Sequence, residues 1–202
     1  MRENLTLIFK LRNLSNQKKG SLLAFIGVIF ITPDSLFIRL SNIETWGMLF
    51  YRGAIPFLVV LIGLLLFYKK NFFKALLNIG YPGIFYIFSF SACNITFIIS
   101  IQNTNVANTL IMIALAPMIS AILGSIFLKE IPDKKTITAI IITFVACVYI
   151  FYDSIKIGNF FGDFFGFITA LGLACNAILA RYAKDRDLVP SAVIGKLCVA
   201  IF

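Results

Sequence analysis

Histidine is absent from the 202 residues, and only 13% of them are charged. Without an imidazole there is no His-containing zinc site, no Ser-His-Asp or Cys-His nucleophile and no His-ligated haem, since each needs that ring as ligand or base near neutral pH. Acids are scarce as well, 9 Asp and Glu dispersed along the chain, whereas a membrane enzyme would cluster its carboxylates near an interface. The four cysteines, Cys93, Cys147, Cys175 and Cys198, lie singly in apolar runs with no CxxC spacing. They read as buried free thiols rather than a redox motif or a metal cluster. No GxxxxGK[ST] loop occurs, so ATP drive within the chain is unsupported. No catalytic residue, metal or cofactor is expected.

What is abundant is apolar. Sixty per cent of the residues are hydrophobic, 22 of them Phe, and the mean hydropathy is +0.95, against roughly half apolar and a quarter charged in soluble chains. So few polar side chains cannot cover an aqueous surface, which excludes a water-soluble globule and makes lipid the solvent. The excess of 18 Lys and Arg over 9 acids gives a net charge of +9. In a soluble chain this would point to nucleic acid; in a membrane chain topology accounts for it. The expected partners are the lipid bilayer and a small-molecule substrate, with no nucleic acid.

A bilayer core takes roughly 20 mostly apolar residues per helix. Six such spans and the start of a seventh are present: Ser21 to Ile38, Trp46 to Tyr68, Tyr81 to Ser100, Val106 to Leu128, Thr136 to Tyr152, Phe160 to Ala180, and Ser191 onward. The runs lack the polar alternation of a membrane barrel, so the fold is an all-α, multi-span helical bundle. Arg2, Lys10, Arg12, Lys18 and Lys19 precede span one; Lys69, Lys70 and Lys74 follow span two; Lys129, Lys134 and Lys135 follow span four; Arg181, Lys184 and Arg186 follow span six. The alternate loops carry only Arg39 and Lys156. Positive loops stay cytoplasmic, which puts the N-terminus in the cytoplasm of a multi-pass cell (inner) membrane protein. Span one has a basic leader but no small-x-small cleavage site, and reads as uncleaved. The weakly amphipathic Asn4 to Leu14 either lies on the cytoplasmic leaflet or is disordered.

Sliding the chain by 142 positions lays Gly20, Phe25, Ile26 and Arg39 on Gly162, Phe167, Ile168 and Arg181, with Asp34 on Asn176. Span one runs outward and span six inward, so the second copy begins upside down, as in inverted-repeat transporters with a midplane site. The expected organisation is a cytoplasmic segment over 1–20, a first five-helix repeat over 21–152 and the start of a second, inverted repeat over 160–202. The sequence stops inside the apolar run Leu197 to Phe202, which reads as a chain cut short of three further spans.

Asn105-Val106-Ala107-Asn108, running through Ala116-Pro117 to Phe127-Leu128-Lys129-Glu130, then Pro132 and the span Ile137 to Ile150, resembles the signature half of the EamA-type drug/metabolite transporter superfamily. The Pro33-Asp34-Ser35-Leu36-x-Ile38-Arg39 stretch and the Tyr51-Arg52 pair are similar to it too. The resemblance covers about Ser21 to Phe202. It implies ten helices in two inverted five-helix repeats, a central cavity, and export or exchange of small metabolites by alternating access; the departure is the incomplete second repeat. A non-transport membrane protein, an enzyme or assembly factor, or a non-functional fragment, is the alternative.

A charge at the centre of an inserting helix costs about 2.5 to 3.5 kcal/mol, so each polar group inside a span asks for a reason. Asp34 and Arg52 both sit roughly 6 to 9 Å below the outer surface at 1.5 Å per residue. They either pair with each other or contact a charged substrate, or else snorkel to the interface. Asn94 in span three and Asn105, Asn108 and Thr109 at the start of span four also fall in the outer half, where they bind a polar solute or bond between helices. Pro33 and Pro117 each remove a backbone hydrogen bond and mark candidate helix breaks. Lys196 is expected to snorkel. Asn94-Ile95-Thr96 matches a glycosylation sequon but is inaccessible inside a span. Small residues spaced by four, Gly158, Gly162, Gly166, Ala170 and Ala174 in span six and Ala116, Ser120 and Gly124 in span four, let backbones approach closely. They serve either contacts within the chain or a homodimer. Coupling to protons through Asp34, facilitated diffusion and exchange all stay open, as does the substrate.

Overall fold

The computed structural model describes residues 16–31, 33–68, 79–130, 132–157, 160–184 and 186–202. Asn4 to Leu14, most of the basic leader, Lys69, Lys70, Lys74 and Gly158 lie outside the described residues. Among those described there is no strand. Four helices are long and apolar enough to cross a membrane, Thr45–Leu66, Gly80–Asn103, Val106–Phe127 and Phe160–Tyr182, and Val189–Ile201 is a shorter apolar helix. The protein is an all-helical integral membrane protein. Large apolar side chains on the helix flanks, such as Leu58, Ile62 and Leu66 or Ile141, Val145 and Val148, stand exposed, a surface that only lipid solvates well.

The chain divides into two units at Ser41. The first carries α1 (Asn16–Ile31) and the short α2 (Asp34–Leu40). Pro33 caps α2 and its carbonyl takes the Phe37 amide at 3.0 Å; with no N–H of its own it supplies no helical hydrogen bond back to α1. Asp34 and Arg39 occupy the first and last turns of α2, each at the helix end whose dipole favours its charge.

The second unit carries α3 (Thr45–Tyr68), α4 (Gly80–Asn103), α5 (Val106–Ile113), α6 (Ala116–Phe127), α7 (Lys134–Ile157), α8 (Phe160–Tyr182) and α9 (Val189–Ile201). Span four is two helices, α5 and α6, with a turn at Ala114 and Leu115 just before Pro117. By contrast α3 runs unbroken through Pro56. At the far end of α6, Lys129 takes a left-handed φ of 56°, and the amides of Leu128 and Glu130 both reach the Gly124 carbonyl, at 2.9 and 3.3 Å. Asp133 then caps α7, accepting from the amide and hydroxyl of Thr136. Those two bonds hold its carboxyl below the usual carboxylate range.

α4 is the hub. Thr45 meets Gln102 and Arg52 lies over Phe97, so α3 runs antiparallel to α4. Ser89 bonds to Gly172, Thr96 to Thr169 and Thr104 to Asp163, so α8 is antiparallel to it as well. Ser91 bonds to Gly195 and Asn94 to Lys196, which makes α9 parallel to α4. An ion pair of 2.9 Å between Arg181 and Glu130 brings the ends of spans four and six to the same end of the unit.

Candidate functional site

Two polar seams run along α4, and they differ in what they meet. The first, Ser89, Cys93, Thr96, Ser100 and Thr104, repeats every three or four residues and so forms one stripe. It meets the small-residue stripe of α8. Ser89 donates to the Gly172 carbonyl at 3.1 Å, Thr96 and Thr169 share a hydroxyl pair at 2.8 Å, and Thr104 donates to Asp163 at 2.6 Å. A Cβ on Gly162 would lie 2.6 Å from the Asn103 backbone, and one on Gly166 3.0 Å from the Ser100 hydroxyl. Ala170 and Ala174 are buried. This seam is paired along most of its length: small residues let the backbones close and the hydroxyls bond across them. It assigns Gly162, Gly166, Ala170 and Ala174 to contacts inside the chain.

Asp163 closes that seam, and it is not among the candidates read from the sequence. It is 0% exposed. One carboxylate oxygen accepts from Thr104 and the other has no hydrogen-bond partner among the described residues. It stands in the first turn of α8, where the helix dipole favours an acid. The signal was there to find, an acid inside the apolar run Phe160 to Ala180.

The second seam, a neighbouring face of α4, bears Phe90, Asn94 and Phe97 and meets α3 and α9. Arg52 on α3 places its guanidinium carbon 5.2 Å from the Phe97 ring centroid. Lys196 on α9 places its ammonium 5.3 Å from the Phe90 ring centroid and 2.6 Å from Asn94 Oδ1. Rather than running to the interface, that ammonium is turned onto α4. Asn94 Nδ2 donates to the Phe90 carbonyl at 2.7 Å, which points the amide oxygen at the lysine. Arg52, Asn94 and Lys196 are all half-buried. Four residues past Arg52, Pro56 supplies no N–H to the arginine's carbonyl, and α9 presses in beside it: a Cβ on Gly53 would lie 2.4 Å from the Ala200 nitrogen. The face therefore combines two cations, an amide and two rings at a place where helices approach closely.

The other sequence candidates are placed elsewhere. Thr109 is 0% exposed and bonded to Ser100 at 2.8 Å, at the first seam. Asn105 is the exposed N-cap of α5, and its carbonyl takes the Thr109 amide at 3.1 Å. Asn108 is half-buried on α5. Pro117 is the second residue of α6, and Pro33 the cap of α2. Asp34 belongs to the first unit and Arg52 to the second. Of the six candidates for solute binding, the second unit brings Arg52 and Asn94 to one face. A cavity of about 480 Å³ beside Met112, Leu115, Phe144, Cys147 and Phe164 holds none of the candidates, and its apolar walls offer nothing to orient a polar solute. No group of His, Cys, Asp and Glu able to hold a metal occurs among the described residues.

Residues 18–152 match the EamA-like transporter family. No curated protein and no solved structure matches the chain.

Proposed function

The chain belongs to the EamA-like transporter family, and from that premise we propose that it is a secondary carrier of small polar metabolites, exporting or exchanging them by alternating access. The single observation that carries this reading beyond the family is the face of α4 on which Arg52 and Asn94 meet. Polar side chains half-buried among apolar helices are costly in lipid, and a solute path through a central cavity gives them a use. In this reading 21–152 form the first of two inverted five-helix repeats, 160–202 begin the second, and residues 1–20 lie in the cytoplasm beneath a cell membrane. Asp34 contacts the solute, and Asn105 and Asn108 line the outer approach, whereas Thr109 is buried against Ser100. The breaks at Pro33 and Pro117 are where the helices flex as the path switches sides.

The test is a comparison of solutes released into the medium by cells expressing the protein, by cells expressing Arg52→Gln, and by cells with an empty vector, followed by mass spectrometry. The expected outcome is at least one small polar solute enriched outside by the wild type and lost in Arg52→Gln at equal membrane abundance. Identical solute profiles in all three would contradict the carrier reading.

A further inference from the structure

We propose that Asp163, with the Thr104 hydroxyl and the Asn103 carbonyl beside it, binds a small monovalent cation, a proton or Na+, where the end of α4 meets the start of α8. The site itself rests on the geometry below; that the bound ion drives solute movement rests on the carrier reading.

An acid removed from water is costly unless a cation or a proton balances it. Asp163 is 0% exposed; Oδ1 meets the Thr104 hydroxyl at 2.6 Å and Oδ2 has no hydrogen-bond partner among the described residues. The helices packed on α8 bring little charge to that end of it. α4, α5 and α6 contain no Asp, Glu, Lys or Arg. The titratable groups of α4, Tyr81, Tyr86 and Cys93, all stand two turns or more before its last residue. On α8 the other charged residue is Arg181, in the last turn and paired with Glu130 at 2.9 Å. α7 begins with Lys134 and Lys135, close in sequence to Glu130, carries Cys147, Tyr149 and Tyr152 further on, and has Asp153 and Lys156 in its last turns.

The groups beside the carboxylate are oxygens. Thr104 is extended, at φ −145° and ψ −179°, which stops α4 at Asn103. The last carbonyls of a helix lack amide partners within it and carry the negative end of its dipole. The Asn103 carbonyl lies against α8 where Gly162 stands: a Cβ there would be 2.7 Å from that oxygen. Glycine admits the approach, and Asp163 is the next residue. The positive end of the α8 dipole meets the negative end of α4, so the two helix ends offset each other and the carboxylate's own charge is left to be balanced. A carboxylate, a hydroxyl and a backbone carbonyl at an interrupted helix make a hard oxygen set, and one carboxylate matches one positive charge. The way in is short. Glu44, Thr45, Trp46, Gln102 and Asn103 line a cavity of about 430 Å³, where Glu44 and Asn103 are exposed, and Thr104 follows Asn103 directly. An acid at that mouth attracts cations.

The experiment uses the protein in lipid nanodiscs, with infrared difference spectra of the wild type and Asp163→Asn recorded in two arms. In one, sodium-free choline buffer is stepped from acid to alkaline pH; in the other, Na+ replaces choline at fixed pH. Proton binding is expected to appear in the first arm as a carboxylic-acid C=O band that rising pH removes, and Na+ binding in the second as a shifted carboxylate band. Whichever appears is expected to be missing in Asp163→Asn. Asp163→Glu keeps the carboxyl on a longer stem and is expected to keep the response, with the ion concentration at its half-point moved by roughly threefold or more; it carries the test should Asp163→Asn not fold. A response kept in full by Asp163→Asn, an unmoved half-point in Asp163→Glu, or a wild-type protein in which neither pH nor Na+ moves any band that Asp163→Asn removes, overturns the proposal. An acid band that appears only once Lys156 is replaced by Gln would make that lysine the counter-charge, and overturns it as well. The carrier reading fails separately. An ion response at Asp163 in a protein whose cells release no solute would keep the site and sink the carrier. Solute release lost in Arg52→Gln, with no ion response at Asp163, would do the reverse.

Discussion

Gly53 leaves no room for a side chain, because a Cβ there would lie 2.4 Å from the backbone nitrogen of Ala200, and backbone cannot rotate aside. Gly63, ten residues along the same helix, has nothing within 4 Å. Gly53→Ala is therefore expected to cost about 1–3 kcal/mol by overpacking, and Gly63→Ala to gain up to about 1 kcal/mol from helix propensity. Thermal unfolding in detergent checks the pair, and equal effects would contradict the close approach. At this scale Arg52 and Asn94 were legible from polarity inside apolar spans. The behaviour of Lys196 was not. Depth along its own helix predicts a snorkelling side chain, but its partner Asn94 lies 102 residues away in sequence, and nothing in local spacing says that α9 will lie beside α4. Asp163 was legible and simply outweighed by the apolar run around it.

Between elements, the α4–α8 contact shows what a small-residue stripe does. Spacing by four in span six predicts close backbones, and Gly162 and Gly166 do pack closely against α4, while Ala170 and Ala174 are buried in a cluster with Met112 of α5 and Ile119 of α6. Which helix receives the stripe could not be read, because in lipid every apolar helix offers a similar face and selection falls to packing detail and paired hydroxyls. The Thr104–Asp163 bond is the polar end of that contact. Thr104→Val keeps the shape but removes the donor from a fully buried carboxylate, an expected cost of about 1.5–3 kcal/mol, whereas Thr104→Ser keeps the hydroxyl and is expected to unfold within a few degrees of the wild type. If Thr104→Val unfolds no earlier than Thr104→Ser, Asp163 does not depend on that hydroxyl. Prolines were the less legible punctuation. Pro117 follows a turn and Pro56 sits inside an unbroken helix, a difference set by the neighbours that re-satisfy the backbone and not by the proline itself.

For the whole molecule, composition alone fixed the solvent: 60% hydrophobic residues with 13% charged leave no aqueous fold. The alternation of helix direction in the second unit, with α3 and α8 against α4 and α9 along it, is the pattern that successive membrane crossings require. The central claim is that the face around Arg52, Asn94 and Phe97 is a solute path open in turn to each side of the membrane. The most direct measurement places a cysteine at Phe97, with Cys93, Cys147, Cys175 and Cys198 replaced by alanine. It then reacts the protein with a membrane-impermeant maleimide from outside in whole cells and from the cytoplasmic side in inverted vesicles. The account expects labelling from both sides. Labelling from one side only, or from neither, would contradict it.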